Sequence, residues 1–267
     1  CAKRMRRDPY GLYDDFENKG ISQRMRYIPP GEFLMGSPRD EPERYDEELQ
    51  HPVEITRGYW LADTTCTQAL WRAVMDDNPS FSKGDDRPVE RVTWSDTQSL
   101  IAILNKALPG GDDLFRLPTE AEWEYACRAG TTTPFWFGEQ ITPEQVNYDG
   151  NYPYADGKQG LYRQQTVAVQ ALPCNAWGLY QMHGNVLEWC WDWLSDYRPG
   201  RVRDPVGPAS GDERVLRGGY WYGFAVYCRS ADRNASRPAD RSRNVGFRLA
   251  RGHVMAPADS KQEEPQG

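Results

Sequence analysis

Three segments carry apolar residues at helical spacing behind a capping signature. Thr65-x-x-Gln68 reads as a capping box, and Leu70, Val74 and Met75 then recur on one face until Asn78-Pro79 breaks the run. Ser95-x-x-Gln98 opens a second helix with Leu100, Ile103 and Leu104, and Pro109-Gly110-Gly111 closes it. Thr119-x-x-Glu122 opens a third, which places Trp123, Ala126 and Cys127 on one face and stops at Gly130. Strand signals are shorter, at Glu32 to Met35 and Val53 to Ile55. Trp189, Trp191 and Trp193 alternate with Cys190 and Asp192, a period of two that sets three indoles on one face.

Long Gly-, Pro- and Asn-rich segments separate these elements. The expected class is α+β with high irregular content, its loops held by the 10 Trp and 15 Tyr. No internal repeat or linker divides the chain. The expected organisation is a polar N-terminal tether over residues 1 to 24, one domain over 25 to 252 and a loose tail over 253 to 267.

Composition narrows the function. The 267 residues carry a net charge of -7. The pI of about 5.2 argues against nucleic acid as a partner, because phosphate contacts need a basic excess. Mean hydropathy is -0.80, and no apolar run approaches the roughly 20 residues of a membrane helix. The sequence starts at Cys1. That start admits two readings: the lipidated cysteine of a mature bacterial lipoprotein, or a boundary that happens to fall on Cys. On the first reading the protein sits in the cell envelope, at the outer-membrane surface or in the periplasm, and meets membrane only through that anchor. The six cysteines form no C-x-x-C pair, which argues against a zinc ribbon.

Several motifs together resemble one family. They are Pro30-Gly31-Glu32-Phe33-Leu34-Met35-Gly36-Ser37, Arg87-Pro88-Val89-Glu90-Arg91-Val92-Thr93-Trp94, Arg116-Leu117-Pro118-Thr119-Glu120-Ala121-Glu122-Trp123, Gly184-Asn185-Val186-Leu187-Glu188-Trp189, Arg217-Gly218-Gly219 and Gly246-Phe247-Arg248-Leu249. In order and spacing they resemble the formylglycine-generating enzyme (sulfatase-modifying factor) family. The resemblance implies a C-type-lectin-like fold. It also implies, for the enzymes, copper held by two cysteines in a pattern like Arg-Gly-Gly-Ser-x-x-Cys-x-x-x-x-Cys. Laid on this sequence, the second cysteine is Cys228, the first falls at Gly223 and the Ser falls at Tyr220. A soft metal such as Cu(I) wants two thiolates, and Gly supplies none. The three histidines, His51, His183 and His253, do not suggest a three-histidine iron site. No G-x-S-x-G marks a hydrolase either.

The C-terminal stretch resembles instead the variable region of retroelement-diversified, lectin-fold receptors. Their binding residues come from Asn codons with randomised adenines, which cannot yield Lys, Glu, Gln or Met. None of those four occurs between Tyr222 and Asn244. The expected ligand-binding positions are Tyr220, Tyr222, Gly223, Phe224, Val226, Tyr227, Asp232, Ala235, Ser236, Asp240, Ser242, Arg243 and Asn244. Tyrosine gives contact area and a hydroxyl at low entropic cost. The expected scaffold comprises most of the interspersed arginines: Arg217, Arg229, Arg233, Arg241 and Arg248. The resemblance also implies a structural calcium on Gln181, Gly184, Val186 and Glu188. The function expected is a monomeric, non-catalytic receptor for a protein or cell-surface molecule. The alternatives are a formylglycine-generating-type oxidase or accessory protein, and a structural partner in an envelope assembly.

Overall fold

The computed structural model describes residues 5–106, 108 and 114–253. Cys1 and the tail beyond His253 lie outside them, as does the expected helix stop at Pro109-Gly110-Gly111.

A six-stranded sheet forms the base. It is built from β1 (Arg6–Asp8), β2 (Gly11–Asn18), β3 (Ile21–Ile28), β6 (Tyr59–Ala62), β7 (Leu114–Arg116) and β13 (Ala250–Gly252), in the order β1-β2-β3-β6-β13-β7. β4 (Gly31–Met35), β5 (His51–Ile55) and β9 (Val202–Arg203) make a three-stranded sheet. β8 (Leu187–Trp193), β10 (Arg214–Arg217), β11 (Asn234–Ser236) and β12 (Val245–Gly246) make a third, in the order β11-β10-β8-β12.

Strand alternation explains how the large sheet buries both faces. Met25 and Ala62 point to one side, beneath α1 (Gln68–Met75) and α2 (Trp94–Lys106), where they join Leu70, Leu100 and Phe115. Ile28, Leu61 and Ala250 point to the other. There they meet α3 (Glu120–Arg128) through Ala121, Trp123 and Cys127.

The N-terminal residues correct an expectation. From Arg6 the chain is not a tether but β1, β2 and β3 of the base sheet. Its charges pair across strands: Arg26 with Asp8 at 2.7 Å, Arg24 with Asp15 at 2.9 Å and Arg251 with Asp14 at 2.9 Å. A polar composition here marks a charged sheet edge rather than a loose segment. The two-residue turn Lys19-Gly20, with φ of 47° and 80°, closes the β2–β3 hairpin in the way such turns favour.

Two caps sit elsewhere than expected. The first helix is capped by Thr67, whose Oγ1 accepts from Leu70 N at 3.1 Å, rather than by Thr65. Gln68 is its first residue, and its amide instead ties down the Ser82 and Pro88 carbonyls. The second helix begins two residues early, with Thr93 and Asp96 bonding each other's backbone N–H. The third matches expectation: Thr119 and Glu122 form a full capping box, and the helix ends on the left-handed pair Ala129 and Gly130.

β8 carries the three indoles, of which Trp189 is fully buried. The intervening Asp192 is also buried, and its carboxylate accepts from Glu120 N at 2.8 Å. Desolvation, reinforced by the Glu120 charge, pushes its carboxyl up to about 8. A raised native value means stability that is full below the unfolded value near 4 and lost as pH rises toward 8. The wild type is therefore expected to lose about 2–4 kcal/mol relative to Asp192→Asn between pH 4 and pH 8. Urea unfolding of both proteins at pH 4, 6 and 8 checks this, and parallel stability curves would contradict it.

Candidate ligand-binding face

The face is built at the end of β10. Gly218 and Gly219 turn the chain sharply, with φ of 102° and 76°. A Cβ on Gly219 would lie 2.6 Å from Cys228 Sγ, so this turn tolerates only glycine. The loop that follows is pinned by backbone bonds from Trp221 N to Asn185 O, Asp149 N to Gly223 O and Ala225 N to Tyr152 O. A single 3-10 turn, Ala225–Cys228, completes it.

Aromatic rings run across this loop in a continuous ridge. Tyr152 stacks on Phe224 at 4.0 Å, Phe224 on Tyr227 at 5.8 Å and Tyr227 on Tyr220 at 6.3 Å. Tyr220 meets Tyr222 edge-on at 4.6 Å. The exposed Arg243 guanidinium lies 5.0 Å from the Tyr222 ring centre and 5.9 Å from that of Phe81. Tyr152 is 50% exposed and Phe224 41%, large values for rings in van der Waals contact.

The structure divides the expected binding positions. Phe224, Asp240 and Arg243 are exposed, and Tyr220, Tyr222, Tyr227, Ala235, Ser236 and Ser242 are half-buried. Ser236 and Asp240 bond each other at 2.8 Å. Four positions are buried and cannot present side chains on the open face. Val226 packs with Phe135 and Tyr148 in a small core. Gly223 lies beneath the Tyr220 ring. Asn244 accepts from the Ser242 hydroxyl, and its carbonyl accepts from Leu187 N. Asp232 is 2% exposed, at the bottom of a cleft. Tyr45, Phe81, Tyr152 and Tyr162 join them from elsewhere in the chain, Tyr162 by stacking on Trp221 at 6.3 Å. Their one signal was an aromatic set in a Gly-, Asn- or Pro-rich loop.

Most of the arginines are scaffold. Arg217 pairs with Glu124 and caps the Ser230 and Ala231 carbonyls. Arg229 forks onto Glu48 at 2.6 and 2.7 Å and reaches Glu41 at 2.8 Å. Arg233 forks onto Glu120 over the Tyr197 ring. Of these five arginines only Arg241 is itself exposed, and it pairs with the half-buried Asp96.

Of the residues implied for calcium, Glu188 is already committed to protein donors. Both oxygens of Glu188 are taken by the Arg248 guanidinium, at 2.6 and 2.7 Å, and Trp123 Nε1 adds a third bond. A fixed guanidinium at the only carboxylate of the set opposes a dication. Gln181 donates its amide nitrogen to Ala168 O, and its buried Oε1 has no partner among the described residues.

The thiols are equally closed. Among the described residues all five cysteines are free, and Cys228 is fully buried, which pushes its thiol up. Cys127 lies 3.8 Å from His183 Nε2 and is pushed up to about 12 by burial. His183 is lowered to about 4 by desolvation, despite its bond to the Cys228 carbonyl. Its Nε2 accepts from Trp136 N, so both ring nitrogens have structural partners.

Residues 11–253 match the model of the sulfatase-modifying factor enzyme 1-like domain. The chain belongs to this family. The formylglycine-generating enzyme of Mus musculus is 35% identical over 214 residues, which cover 76% of this chain and 54% of the enzyme. The chain thus spans about half the length of the curated enzymes it matches. Two solved structures share its whole fold. Treponema denticola variable protein 1 superposes with a TM-score of 0.77 at 30% identity, covering 90% of this chain and 99% of that one. PvdO from Pseudomonas aeruginosa also gives 0.77, at 27% identity, covering 92% and 100%. The C-type-lectin-like fold of the sulfatase-modifying factor family accounts for the mixed sheets and long loops.

Proposed function

We propose that this member of the family is a non-catalytic receptor, and that residues 220 to 243 form its variable binding surface. One observation carries the reading. From Arg217 to Arg248 the buried residues hold the loops in place, while the aromatics and Arg243 that reach solvent form an open ridge. Rigid tyrosines and phenylalanines backed by a fixed frame suit recognition of a protein or cell-surface molecule. The likeness to a variable protein supports the diversified character of the ridge.

An oxidase of the formylglycine-generating type is the second reading, favoured by the 35% identity to such an enzyme. Against it stand Gly223 in the place of one thiol and the buried, protonated thiol of Cys228. Incubation with Cu(I) and a sulfatase-motif cysteine peptide is expected to give no aldehyde by mass spectrometry. Turnover that disappears in Cys228→Ser would overturn the receptor reading. Diversification has its own test in the genome. A template repeat beside a reverse transcriptase should differ from this gene only at adenines, in codons of the exposed residues. A locus without that repeat removes the diversification and leaves a fixed receptor.

A further inference from the structure

Beside the ridge lies a cleft of about 330 Å³, large enough for one long side chain. Tyr45, Leu194 and Tyr227 give it apolar walls, Ala235 lies at its edge and Asp196 at its mouth. Asp232 lines it while remaining 2% exposed. Among the described residues no donor bonds its carboxyl, and the nearest cation, Arg229 Nη2, is 4.0 Å away. A buried carboxyl without a donor is costly unless something else supplies one.

The local charges point to what that is. Arg229 is already matched by two carboxylates, Glu41 and Glu48. Arg233 is matched by Glu120. Asp232, Asp196 and Glu47 are left as an acidic surplus around one aromatic-walled opening. An aromatic wall and a carboxylate together favour a cation over a neutral polar group, and a planar guanidinium over an ammonium.

We propose that this cleft is the anchor of the binding face and takes an arginine side chain from a protein partner, bonded by Asp232. The proposal rests on reading the face as a receptor surface. Burial keeps the Asp232 carboxyl well above the usual range; Arg229 and Arg217 pull it down and Glu48 pushes it up. Glu47, Glu48, Asp196, Arg233 and the Tyr45 and Tyr227 hydroxyls are the other titratable groups lining the cleft. Docking a guanidinium therefore draws off a proton, and affinity climbs as pH rises.

Calorimetric titration of the full chain with the tripeptide Gly-Arg-Gly tests the site, with Gly-citrulline-Gly as the neutral control. Saturable binding of the arginine peptide is expected. It should weaken by about tenfold or more with citrulline and in Asp232→Asn. Ala235→Arg, which supplies the cleft with its own guanidinium, should abolish it, so the test survives if Asp232→Asn fails to fold. Equal binding of the two peptides, or no saturation below roughly 10 mM, overturns the anchor. The receptor reading fails separately. Aldehyde formation lost in Cys228→Ser would sink that reading whatever the peptide does, and absent peptide binding with no turnover would sink only the cleft.

Discussion

Arg229→Met is expected to cost about 3–5 kcal/mol, or roughly 10 °C in melting temperature, because it strands two buried carboxylates. Glu48 and Glu41 are both buried, and each bonds the guanidinium. Desolvation pushes the Glu48 carboxyl up, and Arg229 more than offsets it, holding it below the usual range. That lowered value contributes stability above the unfolded value near 4.5, lost as pH falls through the native one. In the variant only the Ser37 side chain and the Tyr45 backbone still oppose desolvation of Glu48, so its carboxyl rises, and that of Glu41, already raised by burial, rises further. The defect should be greatest at pH 7 and above, and shrink as pH drops below about 4.5. Arg241→Ala, which breaks an exposed pair with Asp96, should cost no more than about 1 kcal/mol. Thermal melts of both variants at pH 4 and 7.5 check the contrast; a pH-independent loss in Arg229→Met would show packing, not charge, to be responsible.

Gly219→Ala should lose about 2–4 kcal/mol from two sources, a side chain at positive φ and a forced contact. The new methyl would meet Cys228 Sγ at 2.6 Å and Tyr227 O at 2.7 Å. Neither is the loose end of a flexible chain: Cys228 is fully buried and Tyr227 O is backbone. Relief must come from shifting the 3-10 turn that carries Tyr227, so the ridge and the cleft should be disturbed together. Denaturant unfolding gives the magnitude, and loss of Gly-Arg-Gly binding in the folded fraction reports the shift. Gly130→Ala is the control: its φ is 93° but nothing lies within 4 Å of a Cβ there. It should show the conformational part alone.

Local chemistry was readable in advance where the partners are neighbours in sequence. The Thr119–Glu122 box needs only three residues of separation, and it formed as expected. Thr67, not the buried Thr65, caps the first helix, and the depth of Thr65 is a fact of tertiary position. The N-terminal strands looked like a tether because their stabilising partners, such as Arg251 for Asp14, lie far along the chain. The same holds within the face. Tyr220, Tyr222 and Phe224 are readable as a local aromatic cluster, but depth is not: Asp232 and Asn244 share the polarity of the open residues yet lie buried. Tyr45 and Tyr152 reach the face from loops about 70 to 180 positions away, joined only by the fold.

The frame beneath the ridge has an engineering consequence. The buried forks of Arg217, Arg229 and Arg248 draw their partners from α3, β8 and the β4–β5 connection, and not from Tyr222, Phe224, Asp240 or Arg243. A combinatorial library randomised at those four surface codons should therefore yield mostly folded members with closely grouped melting points. Randomising Gly219 or Asn244 alongside them should fill the same library with aggregates.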